Sequence, residues 1–265
     1  MTSLETYSYV RLDGDVLRIA VATAGNGTAL DFDCVDEGTA ALRALAAGEI
    51  RAGAVLLVGE GANFCAGGNV RDFAGASDRG AYVLGVAHRL HDFVRLLAAT
   101  TVPVVAAVQG WAAGAGMSLV CAADIAIGGQ STRMRAAYPG VGLTPDGGMS
   151  FNLPRIVGTR RASELILTDA VVEADEAVRL GLLSRLVADD EVQAEALRVA
   201  AGLAAGPTSS YASIRALLAR SGASSLSDQL DAEAASISAA AAGPTGREGV
   251  DAFVEKRRPD FRATR

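Results

Sequence analysis

Asp146 is the residue whose type and setting point most directly to chemistry, in the segment Thr144-Pro145-Asp146-Gly147-Gly148. A carboxylate in a glycine-rich turn can take up a proton and return it, or it can attack an electrophilic carbon. The same Pro-Asp-Gly pattern is common in turns, and aspartate often caps a helix. Spacing alone therefore leaves a catalytic role and a turn role both open.

Two glycine-rich segments could supply backbone N–H donors to a ligand. Residues 59–68 and residues 109–116 each lie between a predicted strand and a predicted helix. Small residues let the backbone approach a ligand, and the first N–H groups of a helix have no partner within it. Neither segment matches the GxGxxG dinucleotide motif or the GxxxxGK phosphate loop. Two such donors converging on one carbonyl oxygen would form an oxyanion hole.

Other kinds of site have weaker support in the residues. Ser118 does not lie in a GxSxG turn, which disfavours a serine hydrolase. His88 and His91 stand three residues apart with Asp92 nearby, but no third metal ligand follows at a suitable spacing. We interpret both histidines as surface or interface residues and predict no metal site.

Alternating strands and helices are predicted to position these residues. Residues 7–22 alternate as a β-hairpin does, and residues 31–47 have helical spacing. Further strands are predicted at 54–58, 102–108 and 124–128, with another near Thr132, and further helices at 78–99 and 115–122. Residues 109–114 are predicted to be a loop. This order of elements is typical of an α/β fold.

The last part of the chain is predicted to be helical. Alanine-rich segments with helical spacing occupy residues 173–180, 189–205, 207–220 and 226–242. Gly206-Pro207 and Gly243-Pro244 interrupt the helices at their joints. We therefore divide the chain into a core, residues 1–200, and a helical C-terminal region, residues 201–265.

Composition excludes several classes of partner. The chain has 265 residues, half of them apolar, and a formal net charge of -6, which disfavours nucleic acid and anionic membranes as partners. Three unpaired cysteines and a start without a secretory signal predict a reducing, cytoplasmic location. Residues 96–123 carry no charge, but Pro103 and several glycines interrupt them, so we predict no membrane span.

Four segments together resemble the crotonase, or enoyl-CoA hydratase/isomerase, family over nearly the whole chain. They are Phe64-Cys65-Ala66-Gly67-Gly68-Asn69, Val108-Gln109-Gly110-Trp111-Ala112-Ala113-Gly114-Ala115-Gly116, Gly142-Leu143-Thr144-Pro145-Asp146-Gly147-Gly148 with Leu153-Pro154-Arg155, and the run from Arg247 to Pro259. The resemblance implies a repeated ββα spiral with a helical C-terminal trimerisation region. It also implies acyl-CoA thioester substrates and a homotrimer or a dimer of trimers.

The resemblance implies a role for individual residues. The oxyanion donors would be the N–H groups of Ala66 and Ala115, with Gly67, Gly68 and Gly114 beside them against the thioester. The two glutamates of the family's hydratases match Ser118 and Tyr138, and neither hydroxyl is a general base near neutral pH. Ser118, Tyr138 and Trp111 are instead predicted to line the acyl pocket.

Asp146 matches the acidic residue of the family's enoyl-CoA isomerases and ring-epoxide isomerases. One carboxylate can remove a proton α to the thioester and return it elsewhere, which predicts a double-bond or ring isomerase. Three alternatives stay open: a hydratase acting through other groups, a hydrolase or dehalogenase-like enzyme with Asp146 as nucleophile, and an acyl-CoA-binding protein without activity.

Recognition of coenzyme A depends on the basic end of the chain. The resemblance implies that Lys256, the one lysine of the sequence, meets a phosphate or the adenine, across a subunit interface or within one subunit. Many relatives carry a basic residue and proline before the segment that corresponds to Asn26, and this chain does not. No tightly bound cofactor is predicted, and coenzyme A is expected only as part of the substrate.

Overall fold

The computed structural model describes residues 7–264. Its main sheet has six strands in the order β1-β2-β3-β4-β6-β9, and a second sheet has three in the order β5-β7-β8. The strands are β1 Val10–Asp13, β2 Val16–Thr23, β3 Ala54–Glu60, β4 Val104–Val108, β5 Trp111–Ala113, β6 Ile125–Gly129, β7 Arg133–Arg135, β8 Val171–Glu173 and β9 Arg185–Val187.

The main sheet forms where the sequence has its longest apolar runs. Strands β2, β3, β4 and β6 pair in parallel and are almost fully buried, as both faces of such a sheet are covered by helices. The hairpin prediction is confirmed, since β1 pairs antiparallel with β2 from Val10↔Ile19 to Asp13↔Val16. The strand predictions at 54–58, 102–108 and 124–128 are confirmed to within two residues at each end.

The second sheet corrects one expectation. Residues 109–114 were predicted to be a loop, but Trp111–Ala113 form β5, which pairs in parallel with β7. A three-residue strand is too short to show a periodic pattern in the sequence. Pairing with β7 and a bridge from Ala112 to Cys65 define it instead.

Eleven α-helices are present within residues 7–264: α1 Phe32–Ala46, α2 Val70–Gly75, α3 Arg79–Ala99, α4 Ala115–Ala122, α5 Met149–Val157, α6 Thr159–Leu167, α7 Ala174–Arg179, α8 Val192–Ala204, α9 Thr208–Ser221, α10 Leu226–Ala242 and α11 Pro244–Val254. The predictions for α1, α3, α4 and α7 to α10 are confirmed. Helices α2, α5 and α6 were not predicted, and α11 lies within the C-terminal region that was predicted to be helical, although no separate segment was predicted for it. Glycine and proline fall within or just before α5, which hides its helical pattern.

Helices cover both faces of the main sheet. On one face, α8 packs through Val192, Ala196, Ala200 and Ala204, one residue per turn, against side chains such as Leu56 and Val105. These alanines allow the helix to approach the sheet closely. The other face carries the larger core, to which α1, α3, α4 and α5 contribute. The predicted boundary at residue 200 falls inside α8, and the helix ends at Ala204 before the Gly206-Pro207 joint.

Residues 96–123 do not form one membrane-spanning helix. They divide among the end of α3, the strands β4 and β5, and α4. Within residues 7–264, no helix is both long and apolar enough to cross a bilayer.

Candidate active site

The two glycine-rich segments lie side by side. The N–H of Cys65 donates to the carbonyl oxygen of Trp111 at 3.0 Å, and the N–H of Ala113 donates to the carbonyl oxygen of Cys65 at 2.9 Å. The helix α4 starts directly after this pairing, with its first residue at Ala115. The pairing therefore brings the first segment against the N-terminus of α4, where helical N–H groups have no partner within the helix.

The structure corrects one of the two predicted oxyanion donors. The N–H of Ala66 donates to the carbonyl oxygen of Thr28 at 2.8 Å, so it is not available to a substrate. Gly68 and Ala115 both lie on the wall of one cavity, and within residues 7–264 neither N–H has a protein acceptor. These two amides are the donors that this geometry leaves open to a carbonyl oxygen. Thr28 lies in the connection between β2 and α1, far from Ala66 in sequence, so spacing could not reveal its contact.

The cavity has a volume of about 650 Å³ and is mainly apolar. Its apolar wall comes mostly from α3 and from the segment before α5, with Val83, Leu84, Val86, Ala87, Leu90, Val141, Leu143 and Pro145. Its polar side chains are Tyr138, Thr144, Asp146, Arg135 and Asp169. A few polar groups on an apolar wall are typical of a small-molecule site, and such sites measure about 300–1,000 Å³.

Asp146 does not use its carboxylate to cap a helix. The helix α5 begins at Met149 after Gly148, and no side chain caps its N-terminus. Instead Oδ1 of Asp146 accepts a hydrogen bond from the Tyr138 hydroxyl at 2.7 Å. Among the residues that the structure describes, Asp146 has no ion-pair partner, and its side chain is half-buried. This placement leaves the carboxylate on the cavity wall without an opposite charge beside it.

Tyr138 is a donor to this carboxylate and not a base. Burial and, second, the charge of Asp146 raise the pKa of the Tyr138 phenol well above its usual range. The phenol therefore keeps its proton at neutral pH and supplies it to the hydrogen bond with Asp146.

Ser118 lies behind Tyr138 and not on the cavity wall, so its predicted pocket role is wrong. Its side chain is fully buried, with Oγ donating to the carbonyl oxygen of Asp146 at 3.0 Å. The same Oγ lies 3.3 Å from the Tyr138 hydroxyl oxygen and 3.3 Å from the carbonyl oxygen of Gly114. Ser118 thus links α4 to the two residues beside the cavity.

His91, interpreted from the sequence as a surface or interface residue, also contacts this region. Nε2 of His91 accepts a hydrogen bond from the N–H of Gly147 at 3.2 Å, and the side chain is half-buried. His88, one turn earlier on α3, is exposed as predicted. Leu84 and Ala87 on the cavity wall stand seven and four residues before His91, so a helical-face pattern could have placed it.

Two predicted contact residues lie away from the cavity wall. Trp111 is not one of the residues that line the cavity, and the centre of its ring lies 5.8 Å from the Arg133 guanidinium. Lys256 is exposed just after α11 and has a left-handed backbone, with φ of 57°. Its contact with coenzyme A stays a prediction.

One cation on the cavity wall was not predicted. Nη2 of Arg135 lies 2.6 Å from Oδ2 of Asp169, whose side chain is only 10% exposed. Oδ1 of Asp169 also accepts from the N–H of Ala137 at 2.7 Å. Asp169 therefore has an ion-pair partner as well as a hydrogen bond, whereas Asp146 has only the hydrogen bond from Tyr138.

The sequence and the fold are similar to those of known proteins. Residues 14–264 match the family model described as enoyl-CoA hydratase/isomerase. The chain is 36% identical over 223 residues to a Rhodobacter capsulatus protein named probable enoyl-CoA hydratase, covering 84% of this chain and 85% of that one. It is 35% identical over 212 residues to the 1,2-epoxyphenylacetyl-CoA isomerase of Escherichia coli (strain K12), covering 78% and 80%. It superposes on an enoyl-CoA hydratase from Polaromonas sp. JS666 with a TM-score of 0.88 at 32% identity, covering 94% and 97%.

Proposed function

Because this chain belongs to the enoyl-CoA hydratase/isomerase, or crotonase, family, we propose that it isomerises an enoyl-CoA thioester through an enolate, with Asp146 as its base. The observation that carries the proposal is the pair of aspartates on the cavity wall. Asp169 is neutralised by Arg135, whereas Asp146 has only the Tyr138 hydroxyl as a side-chain partner in the described part of the chain. Asp146 is thus the carboxylate free to move a proton.

The enolate would be stabilised by the backbone. As the α-proton leaves, negative charge develops on the thioester oxygen, and the N–H groups of Gly68 and Ala115 are open to receive it. One such donor typically contributes about 3–4 kcal/mol to the transition state. Coenzyme A would enter only as part of the substrate.

The steps balance without any oxidant or reductant. In a 3-enoyl thioester, Asp146 breaks the C2–H bond and holds the proton while the double bond moves from C3=C4 to C2=C3. The carboxylic acid then delivers a proton to C4, either the one it removed or one it has exchanged with water, and the carboxylate is regenerated. One base is sufficient for this transfer.

Hydration has less support in this site. By the family resemblance, Ser118 and Tyr138 match the positions of the hydratase glutamates. Ser118 is fully buried, and the raised pKa of Tyr138 keeps its phenol protonated. No second free carboxylate stands on the described cavity wall to activate water, since Asp169 is paired with Arg135. Isomerisation is therefore the reaction that these side chains favour over hydration.

The test is isomerisation of a 3-enoyl-CoA in deuterated water, followed by absorbance and by mass spectrometry. We expect the unaltered protein to conjugate the double bond and to incorporate deuterium. Asp146→Asn keeps the shape of the side chain but removes the base, and we expect both rates to fall by about 10²–10⁴-fold. Asp92→Asn, on the exposed side of α3, is the control and should change neither rate.

Three outcomes would overturn the proposal. Equal rates for the Asp146→Asn variant would show that another group moves the proton. Release of free acid through a trapped acyl-aspartate would indicate a nucleophilic Asp146. Tight acyl-CoA binding without exchange, across several acyl lengths, would indicate a binding protein.

A further inference from the structure

The peptide group between Asp146 and Gly147 is held on both sides by side chains. Its carbonyl oxygen, on Asp146, accepts from Oγ of Ser118 at 3.0 Å. Its N–H, on Gly147, donates to Nε2 of His91 at 3.2 Å. Ser118 belongs to α4 and His91 to α3, so two separate helices hold one peptide plane.

This peptide lies in a segment whose composition gives it little stiffness of its own. Gly142, Gly147 and Gly148 all have positive φ, at 72°, 58° and 83°. Glycine restricts the backbone less than any other residue, so the contacts from α3 and α4 add to the local hydrogen bond from the N–H of Met149 to the carbonyl oxygen of Asp146 at 3.1 Å in keeping one conformation. A Cβ on Gly147 would lie 2.9 Å from Cβ of Ser118, which shows how closely α4 packs on the peptide.

We propose that His91 and Ser118 form a peptide clamp that sets the direction of the Asp146 carboxylate. This proposal rests on the function proposed above, because it concerns how the Asp146 carboxylate is oriented towards the α-carbon of the substrate. Tyr138 holds the carboxylate itself, whereas the clamp holds the backbone from which the side chain projects. His91 and Ser118 are thus positioning residues, and neither donates to nor accepts from the substrate.

The clamp requires a particular form of His91. A ring nitrogen that accepts a hydrogen bond carries no hydrogen, so the hydrogen of the neutral imidazole is on Nδ1. A glutamine at this position can also present an acceptor oxygen, whereas a leucine cannot. His91→Gln and His91→Leu therefore separate an acceptor role from proton transfer, since glutamine does not titrate.

The experiment compares His91→Leu, His91→Gln and Ser118→Ala with the unaltered protein. For His91→Leu we expect kcat for isomerisation to fall roughly tenfold with KM nearly unchanged, because misdirecting a base costs rate more than binding. His91→Gln should recover most of the rate, and Ser118→Ala should lose several-fold. His88→Leu, on the exposed side of α3, is the matched control, and its kcat and KM should equal those of the unaltered protein.

A second readout does not depend on any reaction. Hydrogen–deuterium exchange of the peptide covering residues 142–149 should be faster in His91→Leu than in His91→Gln, because the Gly147 amide loses its acceptor. If the unaltered protein fails to isomerise 3-enoyl-CoA while this exchange difference persists, the proposed function fails, but the contact of His91 with Gly147 is still shown to hold the segment.

Two results would overturn the clamp. A His91→Gln variant as slow as His91→Leu would assign proton transfer to His91. A His91→Leu variant with unchanged kcat and unchanged amide exchange would show that the contact with Gly147 does not hold the segment.

Discussion

At the scale of single residues, Tyr138 holds the Asp146 carboxylate through a hydrogen bond. Its hydroxyl lies 2.7 Å from Oδ1 of Asp146. Burial and the Asp146 charge both raise the pKa of this phenol, so it stays a donor over the neutral range. A hydrogen bond to an ionised group contributes about 1.5–3 kcal/mol when it is well formed.

Tyr138→Phe removes this donor and keeps the ring that lines the cavity. We expect kcat for isomerisation to fall about 10- to 100-fold, which corresponds to that hydrogen-bond energy. Steady-state kinetics would measure it, with Tyr211→Phe on α9, away from the cavity wall, as the control. A Tyr138→Phe variant as active as the Tyr211→Phe variant would show that the hydroxyl does not hold Asp146 in its productive position.

At the scale of elements, the site depends on how closely α4 packs on the segment before α2. A Cβ on Gly116 would overlap the carbonyl oxygen of Cys65 and would lie 2.9 Å from Cβ of Cys65. Cys65 is fully buried and its backbone is bonded to Trp111 and Ala113, so neither side can move freely. Position 116 must therefore be glycine for the two glycine-rich segments to pack together.

Gly116→Ala should lower the free energy of unfolding by about 1–3 kcal/mol, the usual cost of overpacking a core. In a chain of this size each kcal/mol lowers the Tm by about 2–4 °C. Gly85→Ala is the matched control, because its Cβ would meet nothing within 4 Å on α3. In that control the free energy of unfolding should rise by about 0.5–1 kcal/mol, because alanine has less backbone entropy than glycine to lose on folding. Equal Tm values for the two variants would contradict the close packing.

At the scale of the whole molecule, Glu248 joins α11 to the end of the chain. Its carboxylate accepts from both Arg257 Nη atoms, at 2.6 and 2.9 Å, and from the N–H of Asp260 at 2.7 Å. The hydrogen bonds to the Arg257 guanidinium, followed by the bond from Asp260, lower the pKa of Glu248 to about 2. These contacts fasten the segment after α11 to the helix.

The direction of this pKa shift predicts how stability depends on pH. Because the folded-state pKa lies below the ordinary value of 4.5, the stabilisation is present above pH 4.5 and is lost as pH falls towards 2. Glu248→Gln should therefore lower the Tm at pH 7. The difference in Tm between the unaltered protein and this variant should become smaller as the pH falls from 4.5 to 2. Thermal melts at several pH values would measure it, with Glu233→Gln on α10 as the control. A Tm difference that stays constant across this pH range would show that ionised Glu248 does not stabilise the fold through these contacts.

Assembly also belongs to this scale. The last three helices expose large apolar side chains, among them Ile237 at 72% and Phe253 at 85%. Large apolar side chains exposed together on one part of a protein are typical of a surface that another subunit covers. The trimer or dimer of trimers stays a prediction, and with it a contact of Lys256 with coenzyme A across subunits.

The sequence by itself determined the elements whose pattern is local. Buried parallel strands appear as apolar runs and amphipathic helices as repeats of about 3.6 residues, so β2 to β4, β6 and most helices could be predicted to within a few residues. Four motifs spread over the chain predicted the family, and one of them contained Asp146. The spacing of nearby residues is enough to predict these elements, because the apolar positions of each strand or helix are the ones that it buries.

Only the tertiary structure decided which groups meet at the site. The acceptor for Ala66 is Thr28, the partner of His91 is Gly147, and Ser118 lies behind Tyr138 instead of beside the substrate. These partners stand 20 to 56 residues apart in the chain. Hydrogen bonds depend on distance and direction in space, and a spacing in the sequence carries neither. The donors, the clamp and the neutralised Asp169 therefore became visible only once the two glycine segments and the helices α3 and α4 were packed together.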